Sequence, residues 1–223
     1  MQSPRRALLL VGSPKGSKST SESLGTYLLE KLSNGGFETQ EIHIQTLMRS
    51  PEGQQAMLEL VKASDLLILA FPLYVDCLPA AVILNLELIA QQRRGSESLK
   101  SQRLVAIVNN SFPEASQNNT ALAICRRFAS EANIDCAGGL SLGGGGVIGG
   151  NPLDKLGFIA RNVRKALDLT AKNLIENRAV PKEAVDLMAK PMVPKRLYLT
   201  IGNRNWKKQA KAYGSENKLY NQP

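Results

Sequence analysis

Cysteine, histidine and long apolar runs are scarce in this 223-residue chain, and each scarcity excludes something. The three cysteines, Cys77, Cys125 and Cys136, lie far apart. An odd count without a C-x-x-C pair argues against a disulfide framework, an iron–sulfur cluster or a structural zinc. Such usage fits a reduced, cytoplasmic setting. No segment approaches the roughly 20 apolar residues a transmembrane helix needs, so no membrane span is expected. The early apolar run Ala7–Val11 is too short for the core of a secretory signal. The only histidine, His43, ends a predicted strand and reads as a surface residue. No paired carboxylates, metal cluster or Ser–His–Asp set is evident. A G-x-x-x-x-G-K-[ST] loop is missing, and so is G-x-G-x-x-G, which sets aside the Walker and dinucleotide fingerprints.

The chain is not short of positive charge, and the charge is unevenly placed. Residues 1–150 carry 13 Lys/Arg and 13 Asp/Glu, whereas residues 151–223 carry 15 and 6, so the whole net charge of +9 lies in the tail. A basic tail suits nucleic acid or an anionic membrane, but equally a solvated helical face or a surface that steers phosphorylated ligands. No helix-turn-helix, zinc-finger or RNP-type pattern accompanies it, so no nucleic-acid partner is expected.

With 43% hydrophobic residues the chain can bury a sizeable core. Apolar runs of strand length alternate with helical patterns through residue 142. Strands are predicted over Ala7–Gly12, Phe37–Ile44, Leu66–Phe71, Leu104–Asn109 and Ile134–Leu142. Helices are predicted over Ser19–Ser33, Gln54–Ala63, Pro79–Gln92 and Glu114–Ala132. Five buried strands separated by helices imply a parallel, doubly wound α/β sheet with helices on both faces. The expected division is a domain over 1–150 and a basic, mainly helical extension over 151–223 packed on it. In the extension, helices are expected over Leu153–Ile175, Lys182–Ala189 and Asn205–Tyr213, with Pro191 and Pro194 as breaks. Residues 138–150 hold eight of the 18 glycines.

Ligands of such sheets bind beyond the carboxyl ends of the strands, where strand order reverses. The loops there are informative. After the first strand comes Gly12-Ser13-Pro14-Lys15-Gly16-Ser17-Lys18-Ser19-Thr20-Ser21-Glu22-Ser23. Small residues expose N–H groups, hydroxyls donate, and a helix N-terminus comes next, which together suit a phosphate. The same residues would serve a serine-rich helix cap with no ligand. After the third strand, Phe71-Pro72-Leu73-Tyr74-Val75-Asp76-Cys77-Leu78-Pro79 is a proline-pinned loop that exposes an aromatic and suits a flat heteroaromatic ring. Cys77 there reads as a small buried residue rather than a redox thiol. Asn109-Asn110-Ser111 after the fourth strand offers amides to a ring edge, and the glycines after Leu142 permit close backbone approach or a mobile lid. A site with no acid, base or nucleophile suggests a ligand that carries the chemistry itself.

These residues resemble the flavodoxin-like superfamily, in particular its NAD(P)H-dependent FMN reductase and iron–sulfur flavoprotein branch. Gly12-Ser13-Pro14-Lys15 with Ser19-Thr20 is similar to that family's G-S-P-R and Asn/Ser-Thr loop, and Pro72-Leu73-Tyr74 to its third-strand loop. The likeness covers roughly residues 6–150. Lys15 replaces the commoner Arg, and the cluster cysteines of the iron–sulfur branch are absent. The resemblance implies a flavodoxin-like three-layer sandwich with strand order 2-1-3-4-5. It implies that Ser13, Lys15, Ser19, Thr20 and Ser21 bind the FMN phosphate. Pro72, Leu73, Tyr74, Val75 and Asp76 would then line the isoalloxazine, and Asn109, Asn110, Ser111 and Gly143 would border the ribityl chain and ring.

The resemblance further implies an FMN oxidoreductase that takes electrons from NAD(P)H and passes them to a quinone, free flavin or other small acceptor, as a homodimer or homotetramer. Two other readings stand beside it. One is a flavodoxin-type electron carrier without NAD(P)H turnover, although such carriers are usually acidic. The other is a flavin-binding regulatory or membrane-surface protein whose basic tail binds anions.

Overall fold

The computed structural model describes residues 4–94 and 100–215. Five parallel strands form one sheet in the order β2-β1-β3-β4-β5: β1 Arg6–Val11, β2 Glu38–His43, β3 Leu66–Pro72, β4 Arg103–Asn109 and β5 Asp135–Leu142. This is the flavodoxin-like order that the sequence resemblance implies.

Strand alternation sorts the core into two layers. Ala7, Leu9 and Val11 of β1, Ile68 and Ala70 of β3 and Val105 and Ile107 of β4 face one side. Helices α1 (Thr20–Asn34), α6 (Arg161–Ile175) and α7 (Lys182–Met188) cover it with Leu24, Leu28, Leu32, Val163, Leu167 and Leu174 among their buried residues. Leu8, Leu10, Leu67, Leu69, Phe71, Leu104, Ala106 and Val108 face the other side. There α3 (Pro51–Ala63), α4 (Ala80–Arg94) and α5 (Asn119–Glu131) pack, with α2 (Ile44–Leu47) as a single turn after β2. One hydrophobic layer thus contains residues from both 1–150 and 151–223.

Several boundaries differ from those expected. The Phe37–Ile44 pattern splits, because Ile44 already opens α2. α3 begins earlier than Gln54, with Ser50 accepting from Gly53 N and Pro51 in the first turn, a proline position that needs no N–H. The segment Glu114–Ala132 opens with a tight 3₁₀ turn, Ala115–Asn118, before α5. Leu153–Ile175 is not one helix: Gly157 at φ +54° stops a short 3₁₀ turn, and α6 starts at Arg161. Pro194 does not break the tail but precedes α8, Lys195–Ala212, which is twice the length predicted from Asn205. No helix among the described residues is long and apolar enough to cross a membrane.

Candidate functional site

The reversal in strand order lies at β1 and β3, and the loops leaving these strands and β4 converge there. They enclose a cavity of about 330 Å³, within the range of small-molecule sites. Of the sequence-predicted residues, Ser13, Lys15, Ser19, Thr20, Ser21, Pro72, Leu73, Tyr74, Asn109, Asn110 and Ser111 line it. Val75, Asp76 and Gly143 do not. Lys18, Gly145, Gly146 and Gly149 line it as well, although the sequence reading did not single them out.

The loop after β1 is shaped by its own polar groups. The Ser13 hydroxyl accepts from Lys15 N, and Gly16 and Lys18 both take positive φ, +65° and +67°. Ser19 caps α1 through a reciprocal box: its hydroxyl accepts from Glu22 N at 3.1 Å, while the Glu22 carboxylate accepts from the N–H groups of Lys18 and Ser19. Ser21 accepts from Asn109 Nδ2 at 2.7 Å, which ties the loop to β4. Thr20 donates to the Gly145 carbonyl at 2.9 Å, which ties it to the glycine run.

These bonds leave a definite donor set. Ser13, Ser19 and Ser21 are buried, and each uses its oxygen as an acceptor, so each hydroxyl proton is free to point into the cavity. Thr20 has already given its proton to Gly145 and can only accept. The lining carries Lys15 and Lys18 and no carboxylate. With the α1 N-terminus beneath it, the lower cavity is electrostatically suited to a phosphate.

The glycines are structural in a specific sense. A Cβ at Gly145 would lie 3.0 Å from the Asn110 carbonyl and 3.1 Å from Asn109 Oδ1. A Cβ at Gly150, which sits at φ +80°, would collide with the Lys18 carbonyl. The run therefore lies against the loop after β1. Gly143 is packed behind it: a Cβ there would meet the Pro113 carbonyl at 2.5 Å and Ala115 N at 2.8 Å.

On the other side of the mouth, Tyr74 and Cys77 exchange both backbone hydrogen bonds, at 2.9 Å each. Val75 and Asp76 occupy the turn between them with φ +46° and +57°. Positive φ at both central residues is the geometry of a two-residue type I′ turn. Val75 is 97% exposed at its tip. Tyr74 N–H is engaged in the turn and Leu73 N–H donates to the Asn109 carbonyl at 2.8 Å. Cys77 is half-buried rather than buried. Cys125 is buried on α5, where burial pushes its thiol up to about 12.

Asn118 was missed by sequence reasoning. It is fully buried and donates to the Val108 carbonyl, the Ser141 hydroxyl and the Leu142 carbonyl, while its own carbonyl accepts from Asn110 Nδ2 at 3.0 Å. It thereby joins the loops after β4 and β5. An asparagine inside an expected helix gave no sign of this role. His43 requires a correction: it is half-buried, with Nε2 3.4 Å from Glu22 and 3.5 Å from Glu41, and Thr26 holds the other oxygen of Glu41 at 2.9 Å. The S-x-x-E spacing of Ser19 and Glu22 was the available signal for Glu22.

A family profile described as NADPH-dependent FMN reductase matches residues 5–123. No curated protein sequence matches the chain. Among solved structures, an FMN-dependent NADH-azoreductase from Bacillus anthracis in complex with FMN is 13% identical, with a TM-score of 0.56 over 77% of this chain and 99% of that one. An NAD(P)H:quinone oxidoreductase from Methanothermobacter marburgensis is also 13% identical, with a TM-score of 0.56 over 76% and 96%. An oxidoreductase from Corynebacterium diphtheriae is 11% identical, with a TM-score of 0.53 over 83% and 98%. At these identities the likeness is one of fold.

Proposed function

The chain belongs to the NADPH-dependent FMN reductase family and is an FMN-dependent oxidoreductase, and on that premise we propose that the cavity at the β1–β3 reversal holds the FMN and that NAD(P)H and a small oxidant use its open side in turn. The observation that carries this reading is the acid-free donor set: three buried serine hydroxyls, two lysines and a helix N-terminus at one end of the cavity.

Ser13, Ser19 and Ser21 would donate to the phosphate, and Lys15 and Lys18 would balance its charge. Asn109 holds Ser21 in place and would border the ribityl chain, with Asn110 and Ser111 beside it. Pro72, Leu73 and Tyr74 form the wall against which a flat ring would lie. The N–H groups of Val75 and Asp76 lie outside the paired bonds of the turn, and neither residue lines the cavity. Bound there, FMN would supply the two-electron chemistry, so the lining needs no carboxylate, histidine or cysteine, and it has none. The azoreductase and quinone oxidoreductase neighbours support a quinone or azo compound as acceptor class.

Flavin titration and turnover test this. Wild-type protein should bind FMN and oxidise NADPH or NADH when a quinone is added. Ser21→Ala should weaken FMN binding by roughly tenfold, the loss of about 1.4 kcal/mol. Protein that neither binds FMN nor oxidises a nicotinamide above background would overturn the reading.

A further inference from the structure

Outside the cavity at the strand reversal, the chain's one histidine meets two glutamates. Glu41 and His43 are two residues apart on β2, so their side chains leave the same side of the strand. That side faces the first turn of α1, where Glu22 closes the helix cap. The sequence has no metal motif here, because the three residues meet only when α1 packs against β2.

Each carboxylate is aimed by bonds to its far oxygen. Glu22 Oε2 accepts from the N–H groups of Lys18 and Ser19, and Glu41 Oε2 accepts from the Thr26 hydroxyl at 2.9 Å. The near oxygens, Oε1 of both, are left facing His43 Nε2 at 3.4 and 3.5 Å. All three atoms lie within 4.8 Å of one another. The two spacings to the ring are too long for good hydrogen bonds. Nδ1 of the same ring is buried without a partner among the described residues. No Lys or Arg among the described residues pairs with either glutamate.

A cation accounts for spacings that hydrogen bonds do not. Tetrahedral metal–ligand bonds of roughly 2.0–2.2 Å put neighbouring ligand atoms roughly 3.4 Å apart, which is the spacing from His43 to each carboxylate. The third edge, between the two half-buried carboxylates, closes by rotation of either side chain. Hydrogen bonds to the far oxygens are the support that orients ligating carboxylates. The charge agrees. Both glutamates line a cavity of about 390 Å³ that also presents Glu30 and Asp154, against one lysine, Lys18. This is an acidic hollow on a chain of net charge +9, and such a local excess of one sign concentrates counter-ions.

We propose that Glu22, Glu41 and His43 bind a divalent first-row metal ion of the Zn²⁺ type, with water from the acidic cavity completing its coordination. Two carboxylates and a neutral imidazole bring two negative charges, which a dication cancels, and mixed oxygen and nitrogen ligands suit such ions. The ion ties α1 to the edge strand β2. Through Glu22, which also holds Lys18 and Ser19, it steadies the loop after β1. The site is separate from the flavin cavity and does not rest on the flavin reading.

Zn²⁺ alone, titrated by calorimetry into the full chain stripped with a chelator, tests this. The wild-type chain should take up one ion per chain and melt at a higher temperature with it. His43→Gln and Glu41→Gln, the second of which keeps an acceptor for Thr26, should each raise the Zn²⁺ Kd at least about tenfold and remove most of that shift. Co²⁺ gives a reading that needs no variant: bound to the wild-type chain it should show ligand-field absorption without a thiolate charge-transfer band, since no cysteine is in the set. No saturable Zn²⁺ uptake, uptake that both variants retain, or a thiolate band with Co²⁺ would each overturn the proposal.

Discussion

At the scale of single residues, the site is held by amides rather than by charges. Asn109 fixes Ser21 at 2.7 Å, and Asn118 fixes Asn110, Ser141 and two strand-end carbonyls at once. A buried group with several partners is costly to remove, because each partner is left unsatisfied in a dry place. Asn118→Ala should therefore destabilise the fold by about 2–3 kcal/mol, lowering Tm by roughly 5–10 °C. Because Asn110 and the glycine run lose their common anchor, FMN affinity should fall with it. Asn118→Asp keeps the shape but loses the donors, and it should behave like the alanine variant. If the aspartate variant melts as wild type does, the donated bonds are not what holds the loops.

The hairpin turn after β3 shows what one element can store. Val75 is β-branched and sits at φ +46°, a region that disfavours such residues and costs on the order of 1–3 kcal/mol. Its side chain is exposed and returns nothing through packing. Val75→Asn, with a residue that tolerates positive φ, should raise Tm by a few degrees without altering the sheet. A melt at or below the wild-type temperature would show that the turn is not strained by its valine. This turn also marks the limit of sequence reading. The loop was legible as proline-pinned and cavity-facing from Pro72, Tyr74 and Pro79. The residues in it that face away were not, since a Val-Asp pair lacks the Asn-Gly signature of a type I′ turn. The inner strands β1, β3 and β4 were legible because each is buried on both faces and reads as an unbroken apolar run. The edge strand β2, exposed along most of its length, was legible only by its alternation up to Ile42 and Ile44. Helix starts were less legible where a 3₁₀ turn precedes them, as at Ala115 and Leu153. α8 was undercounted because Pro194 signals a break and a helix start alike.

For the whole molecule, the question is how much of the chain the core requires. Residues 151–223 were set apart in the sequence by their charge, yet Val163, Leu167, Leu174, Leu187 and Met188 lie in the same hydrophobic layer as β1, β3 and α1. Burial of these five side chains is worth about 1.5–3 kcal/mol each, a sum comparable with the roughly 5–15 kcal/mol by which a domain is stable at all. A chain ended after Gly150 should therefore fail to give a cooperative melt. By contrast, a chain ended after Val193 loses α8 and the residues beyond it, which touch the body through the Lys195–Glu114 pair, the Tyr198–Ser111 bond and the Tyr198 ring over Gly144 and Gly146. It should melt cooperatively and near the wild-type temperature. Calorimetry of the two shortened chains distinguishes these outcomes. If the chain ended after Val193 also melts without cooperativity, α8 is part of what the core requires.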